Sequence, residues 1–328
     1  MTPDFYLATE HGLVTCAWEG EIARVLDSDL QDDALTSVIA TPSVILAGTL
    51  RGIFLSDDNG HSWRASDTGL TTPHIRWLAQ APGLLLAGVE SAGIFTSRDN
   101  GLSWREAPEV PPLRAKHKWF LPYSSGAGCV RGFAIHGARL YAAVEVGGVL
   151  RSDDNGETWR LVAGSDGNPN LDSPPEPLIY PDVHSLSTHS SSPDLVFAPT
   201  GGGFYKSADG GQTWTCLYDG YVRAVWVDPA DPDHLLLGPA DGVDARGRIE
   251  QTRDGGRTWL PASTGLSTPW RRHMVERFLQ VNDHLLAVLS NGQLLAAPLA
   301  TLAWGQILPE VKGVRAVAHV QTQVTLGA

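Results

Sequence analysis

Seven short segments of the chain share a pattern of four positions. The first and fourth positions are apolar, the third holds any residue, and the second holds the residue of interest, which is called the variable position. The variable position holds arginine in five segments and threonine or histidine in the other two: Thr36, Arg76, Arg131, His184, Arg223, Arg277 and Arg315. If the segments are equivalent strands of a repeat, these side chains converge on one place. Converging guanidinium groups bind carboxylate, phosphate or sulfate, so the pattern predicts an anion-binding site.

A second shared position, at the end of the strand that follows, holds Glu10, Glu90 and Glu145. In one interpretation the arginines and glutamates only neutralise one another around a water-filled channel. In the other, five arginines and one histidine exceed three glutamates, and the site binds a small anionic molecule, with a sugar acid or a glycan as candidates. The ligand-binding residues predicted by the second interpretation are Arg76, Arg131, Arg223, Arg277, Arg315 and, from a nearby basic segment, Arg272.

Cleavage of this ligand is a further hypothesis, in which His184 or Glu145 acts as the acid/base. A non-catalytic scaffold that binds another protein is the alternative. An ionisable group with a shifted pKa in a closed cleft would favour the enzyme, whereas a flat exposed patch would favour the scaffold. No cofactor and no metal are predicted, because the histidines show no ligand spacing on a single element.

One octapeptide pattern positions these segments, and it occurs five times: SDDNGHSW from Ser56, SRDNGLSW from Ser97, SDDNGETW from Ser152, SADGGQTW from Ser207 and TRDGGRTW from Thr252. Its aspartate can accept hydrogen bonds from backbone N–H groups of a tight turn, and its glycine adopts positive φ at little cost. A calcium loop is the rival interpretation, but the glutamate expected at its twelfth position is missing. The pattern therefore predicts five turns between strands, which are called box turns below.

Each box turn follows two strand signals, so one unit contains four strands, called A to D from the inside outward. The A-strand pattern occurs seven times, and a tryptophan assigned to strand D also occurs seven times: Trp18, Trp63, Trp104, Trp159, Trp214, Trp259 and Trp304. The two counts agree only if the chain ends share one unit. Phe5 to Trp18 would supply strands B, C and D, and Val314 to Val320 would supply strand A.

The box turns resemble the Asp-box (BNR) repeat of sialidase-like β-propellers. This resemblance implies an all-β, seven-bladed propeller of four-stranded antiparallel blades, in which N- and C-terminal strands close one blade. Residues 1–328 would form a single domain. Sialidases bind a carboxylate with three arginines and use a Tyr/Glu pair with an Asp acid/base. By this resemblance the pair could be Tyr221 or Tyr180 with Glu90 or Glu145, and the acid/base could be Asp182. The family's Arg-Ile-Pro element is absent, so a glycoside hydrolase-like or lyase activity remains a hypothesis.

Composition limits the remaining functions. The 328 residues carry a formal net charge of −12, which disfavours nonspecific binding of nucleic acid. No apolar run is long enough to cross a membrane. The first residues lack the pattern of a secretory signal, and the three cysteines show no paired spacing, so we expect a cytoplasmic protein. Two long D-to-A connections, 105–129 and 160–182, should decorate the face of the propeller that carries the arginines.

Overall fold

The predicted architecture is confirmed by a ring of seven four-stranded antiparallel sheets, which together form a seven-bladed β-propeller. The computed structural model describes residues 3–170 and 173–319. The innermost strand of every blade contacts the innermost strand of the next blade around the whole ring. This arrangement brings the starts of all seven A strands to one end of a central channel, which we call the mouth.

The strands occur in the order A to D in six blades that are contiguous in the sequence and in a seventh that combines both ends of the chain. The first three strands of the chain belong to blade 7: β1 (Phe5–Thr9), β2 (Gly12–Glu19) and β3 (Ile22–Asp29). Blade 1 contains β4 (Leu35–Ala40), β5 (Ile45–Thr49), β6 (Gly52–Ser56) and β7 (Arg64–Ala65). Blade 2 contains β8 (Ile75–Ala81), β9 (Leu84–Val89), β10 (Gly93–Ser97) and β11 (Arg105–Glu106). Helix α1 (Val110–His117) follows, and blade 3 contains β12 (Cys129–His136), β13 (Arg139–Glu145), β14 (Gly148–Ser152) and β15 (Arg160–Leu161). Blade 4 contains β16 (Ser187–His189), β17 (Ser192–Thr200), β18 (Gly203–Ser207) and β19 (Thr215–Tyr218), and blade 5 contains β20 (Tyr221–Asp228), β21 (Asp231–Ala240), β22 (Glu250–Thr252) and β23 (Leu260–Pro261). Blade 6 contains β24 (Val275–Val281), β25 (His284–Leu289), β26 (Leu294–Pro298) and β27 (Gly305–Gln306). The last strand, β28 (Val314–His319), belongs to blade 7.

Blade 7 closes the ring as predicted, because β28 pairs with β1 in an antiparallel register that places Phe5 opposite His319. The assignment of Trp18 to strand D was wrong. Trp18 lies near the end of β2, which is strand C, and β3 is strand D. A turn of only two residues, Gly20 and Glu21, joins these strands, so this blade makes its C-to-D turn without a box. Val320 lies outside the described residues.

Seven hydrophobic clusters fill the seven seams between blades, and each seam contains one of the seven tryptophans that were assigned to strand D. Trp104, for example, comes from blade 2 and packs against Leu46 and Leu55 of blade 1. Trp18 fills the seam between blades 6 and 7 in the same way, although it comes from a different strand. The tryptophans assigned to strand D therefore gave the correct number of blades, because each of these seven lies at a different seam.

The box turns have the geometry that their sequence predicts. In the first, Asp58 accepts a hydrogen bond from the Ser62 backbone N–H at 2.9 Å and from the Ser62 hydroxyl at 2.6 Å. The Ser56 hydroxyl donates to Asp58 at 2.8 Å and accepts from the Gly60 N–H at 2.8 Å. The same bonds recur in the other four copies, at Asp99, Asp154, Asp209 and Asp254.

We predict that Asp58→Ala lowers the Tm by roughly 2–5 °C at pH 7, because the turn loses three acceptor contacts. The hydrogen bonds from Ser62 and Ser56 hold the pKa of Asp58 at about 2. A carboxyl whose folded pKa is depressed contributes stability above its ordinary pKa and loses it as the pH falls. Thermal unfolding should therefore show the difference shrinking between about pH 4 and pH 2. The matched control is Asp57→Ala, which removes only an exposed pair with Arg64 and should change the Tm by less than a degree.

Both long connections pack over the mouth face. The first contains α1 and the buried Trp119, whose indole N–H donates to the Gly167 carbonyl of the second at 3.0 Å. Two residues of the second connection, Leu171 and Asp172, lie outside the described part. Among the described residues, no helix has the length and apolar character needed to span a membrane.

Candidate functional site

A cavity of about 710 Å³ occupies the mouth of the channel, where the A strands begin. It is lined by all five predicted arginines of the ring and by Thr36. Its other acidic and aromatic lining residues are Glu10, His11, Glu145, Glu276, Trp77 and Tyr123. The lining also contains a group of larger apolar side chains: Leu35, Leu50, Val288, Leu289 and Val314.

A β-bulge aims the ring residues into this cavity. In blade 3, Val130 pairs with Val144 and Gly132 pairs with Ala143, so Arg131 is the extra residue between them. The same shift surrounds Thr36, Arg76 and Arg315 in their own blades. An extra residue in one strand redirects its side chain relative to the regular alternation. The bulge is therefore the local reason why these side chains reach the mouth.

In blade 6 the predicted equivalence is wrong by one residue. Val275 pairs with Leu289 and Arg277 pairs with Val288, so the residue at the bulge is Glu276. Arg277 instead matches Trp77 and Gly132 of the other blades. Strict use of the pattern would have found Glu276, since Val275 corresponds to Val130. The ring therefore contains a carboxylate that sequence analysis missed.

Glu276 completes a chain of alternating charges along one wall of the cavity. Arg76 lies 3.5 Å from Glu90 and 3.9 Å from Glu145, and Arg131 lies 3.0 Å from Glu145. Arg131 then reaches Glu276 at 3.5 Å, and Glu276 forms a short ion pair with Arg223. On the far side Arg315 pairs with Glu10, and both side chains are about half exposed. The predicted excess of arginine is thus largely neutralised.

The charge balance of the site is close to neutral. The five arginines face the three lining glutamates, and Glu90 and Asp244 pair with two of these arginines, Arg76 and Arg223, so that positive and negative charges are equal in number. Burial alone would raise the pKa of Glu145, but Arg131, His184 and Arg76 outweigh it and hold that pKa at about 2. Burial is likewise outweighed at Glu276, where Arg223, Arg131 and Arg277 lower the pKa. Both carboxylates are therefore ionised at neutral pH.

Arg277 crosses the channel below the ring. It donates hydrogen bonds to the Arg131 carbonyl at 2.6 Å and to the His184 carbonyl at 3.3 Å, and it stacks over Trp77 at 4.3 Å. Burial and the neighbouring Arg131 lower its pKa to about 9, which leaves the guanidinium protonated at neutral pH. A second cavity of about 170 Å³ lies on its other side. Arg277 therefore forms the floor of the mouth cavity.

The structure separates His184 and Tyr221 from the cavity. The His184 side chain is 1 % exposed, and its two ring nitrogens lie 2.7 Å from the Val222 carbonyl and 3.0 Å from Asp182. Its segment is extended, and strand β16 begins only at Ser187. The Tyr221 hydroxyl accepts a hydrogen bond from Arg223 at 3.1 Å, and burial raises the pKa of this phenol. Neither residue lines the cavity, so their packing and hydrogen bonds account for them structurally.

The remaining candidates are distributed as follows. Glu145 lines the cavity, whereas Glu90 lies beside it and accepts a hydrogen bond from Ser124. Arg272 is exposed and is not among the lining residues. Tyr123, which no sequence pattern indicated, enters the cavity from the first long connection and accepts a hydrogen bond from Arg76 at 3.2 Å. Among the described residues, no three histidine, cysteine, aspartate or glutamate side chains are grouped as metal ligands would be.

Comparison with known proteins supports the fold. No family model and no curated protein matches the chain. Among solved structures, an ancestral GH74 enzyme has a TM-score of 0.61 at 16 % identity over 90 % of this chain, and the GH74 enzyme of Niastella koreensis has 0.60 at 14 % over 97 %. These matches cover 38 % and 54 % of those two enzymes.

A neighbour of similar size is YCF48 bound to D1 peptide. Its TM-score is 0.59 at 14 % identity, and the match covers 100 % of this chain and 91 % of that one. YCF48 from Cyanidioschyzon merolae gives a TM-score of 0.62 at 12 % identity over 90 % of this chain and 91 % of that one. Such likeness establishes a shared propeller fold.

Proposed function

We propose that this chain is a propeller of the Asp-box kind whose mouth cavity binds, without cleaving, a small ligand that carries at most one negative charge and many hydrogen-bond acceptors. A sugar acid is the candidate class. The observation that carries the proposal is a cavity whose lining combines five arginines with a group of apolar side chains. A sugar acid, which has a carboxylate, hydroxyl groups and an apolar ring face, matches such a mixed lining.

Unused hydrogen-bond donors support this ligand class. Arg76, Arg131, Arg223 and Arg315 donate six hydrogen bonds to groups of the described residues. Each guanidinium has about five N–H donors, so most of them remain for hydroxyl and carboxylate oxygens. The balanced charge of the site disfavours dianions such as phosphate monoesters, because a second negative charge would face Glu145 and Glu276.

Binding without hydrolysis follows from the state of the two carboxylates. Most glycoside hydrolases need one carboxyl group that stays protonated to donate a proton to the leaving oxygen. Glu145 and Glu276 are held ionised by their arginines, and His184 has both ring nitrogens against protein acceptors. Neither of these carboxylates nor His184 is therefore available to donate a proton for glycosidic cleavage.

Titration calorimetry with D-glucuronate and D-galacturonate tests the proposal, and D-glucose serves as the uncharged comparison. Arg76→Gln should weaken the binding of a sugar acid at least tenfold, since Arg76 faces the cavity and donates only one hydrogen bond to protein. Arg272→Gln is the matched control and should leave binding unchanged, because Arg272 is exposed and outside the lining. Equal loss in both variants, or no binding of either acid, would contradict the proposal.

A protein-binding role is the second candidate. Phe120, Tyr123 and Val243, on connections at the mouth face, are 41 %, 56 % and 62 % exposed. Exposed apolar side chains around a polar cavity are typical of protein contacts. A peptide with a free C-terminal carboxylate should then bind in the same titration, with a loss in Arg76→Gln, while both sugar acids fail. That outcome would identify the C-terminus of a protein, and not a sugar acid, as the ligand of the mouth cavity.

A further inference from the structure

The outer edge of blade 7 differs from every other outer edge in the described part. Strand β3 has eight residues, whereas five other D strands have two residues and β19 has four. It pairs with β2 on one side and is the last strand of its sheet. At about 3.3 Å per residue, this leaves roughly 26 Å of unpaired backbone. A long exposed edge is a template for the addition of another strand.

The backbone of β3 presents hydrogen-bonding groups to solvent. Ile22 lies opposite Glu19 and directly follows the two-residue turn, so its N–H and carbonyl face β2. By alternation, Ala23 and Val25 direct theirs toward the open edge. A bulge between Val25 and Asp27 interrupts the alternation. The part of the open edge that can pair with another strand therefore begins at the turn, and its alternation is regular up to Val25.

Apolar surface accompanies this edge. Ile22, Val25 and Leu26 are 60 %, 38 % and 37 % exposed. Val25 and Ser28 also border a groove of about 570 Å³, whose other apolar lining residues are Val14 and Val311. An added strand gains affinity from main-chain hydrogen bonds and specificity from pockets for its side chains. Both elements are present here within one strand.

The charge of this region selects the occupant. Residues 19–33 contain six acidic residues and one arginine, which gives −5 of the total −12. Within the described part of the chain, two of these acids pair with arginines, as Glu19 does with Arg24 and Asp33 with Arg51. A second copy of this chain would bring the same negative charge to the edge and be repelled. A segment rich in lysine or arginine would be attracted.

We propose that β3 is a docking edge for an extended basic segment of a partner protein, which pairs with β3 as a fifth strand of blade 7 and places an apolar side chain over the adjoining groove. The edge lies on the outside of the ring, whereas the proposed ligand cavity lies at the mouth. A negative result for one proposal therefore does not contradict the other.

Fluorescence anisotropy with the full chain and two labelled octapeptides tests this inference. One probe alternates lysine with valine, and the other alternates glutamate with valine. The lysine probe should bind at least tenfold more tightly. Val25→Pro removes an outward N–H at a position where an edge strand tolerates proline, and it should weaken binding of the lysine probe at least tenfold. Val25→Thr, which keeps the N–H and the strand preference, should weaken it less than threefold.

Two further measurements keep the test decisive. If Val25→Pro unfolds, hydrogen exchange is measured on the wild-type chain instead. The lysine probe should then slow the exchange of the Ala23 and Val25 amides. Equal affinity for both probes, unchanged affinity in folded Val25→Pro, or protection elsewhere would overturn the proposal. So would a dimer in analytical ultracentrifugation that Val25→Pro converts to a monomer, because the occupant would then be a second copy.

Discussion

Arg131→Ala is expected to lower the free energy of unfolding at pH 7 by about 3–5 kcal/mol, the cost of breaking a buried ion pair from one side. The side chains of Arg131 and Glu145 are only 13 % and 7 % exposed, and Arg131 also contacts Glu276. Removing the guanidinium leaves the buried carboxylate of Glu145 and the partly buried carboxylate of Glu276 without their shared partner. Urea unfolding at equilibrium measures the loss.

The pH dependence of this loss identifies its cause. In the wild type, the pKa of Glu145 is about 2 in place of the ordinary 4.5, so its contribution is present above pH 4.5 and disappears as the pH falls toward 2. Without Arg131, burial should raise this pKa. Protonation then relieves the buried charge, and the difference between variant and wild type should shrink as the pH falls from 7 toward 4.

Arg315→Ala is the matched control, since Arg315 occupies the corresponding bulge in blade 7. Its pair with Glu10 is about half exposed, so the expected loss is below about 1 kcal/mol. Similar losses for Arg131→Ala and Arg315→Ala, or a loss that does not depend on pH, would contradict the picture of a buried charge chain.

Trp104→Ala is expected to cost about 3–5 kcal/mol, because it empties the seam between blades 1 and 2. Trp104 is 5 % exposed, packs against Leu46 and Leu55, and donates its indole N–H to the Ser66 hydroxyl at 3.0 Å. The variant loses this contact area and leaves a cavity that β-sheets on both sides can fill only partly. Urea unfolding is again the measurement.

The control for this prediction is Trp63→Ala, which truncates the equivalent tryptophan at the seam between blades 7 and 1. Trp63 is only half-buried, and its indole N–H has no hydrogen-bond partner among the described residues. Its loss should be less than half that of Trp104→Ala. Equal losses would mean that the tryptophans act through the box turns that they follow and not through the seams.

Local chemistry explains why so much of the fold could be predicted. A box turn uses an aspartate, a hydroxyl residue and a glycine within seven residues, so its bonds are encoded in a short stretch. Repetition then fixed the number of blades twice, from the A strands and from the tryptophans. The error at Trp18 did not disturb the count, because this side chain fills its seam from strand C.

The candidate site was predicted less completely, because bulges and ion pairs depend on partners elsewhere in the fold. The bulge of blade 6 lies one residue earlier than predicted, so the carboxylate of Glu276 occupies the ring position that was expected for the guanidinium of Arg277. His184 occupies the expected position but turns into the protein toward Val222 and Asp182. Backbone register decided the first, and packing between blades 4 and 5 decided the second.

Turns, strand patterns and tryptophans act over short distances, so the seven blades and the five arginines at the mouth could be predicted from the sequence. The carboxylates that balance these arginines depend on the three-dimensional arrangement of the blades. Arg131 meets Glu276 across 145 residues of sequence, and Arg277 reaches the Arg131 carbonyl across 146. Coulomb energy depends on distance and burial, and neither is encoded in the spacing of residues along the chain.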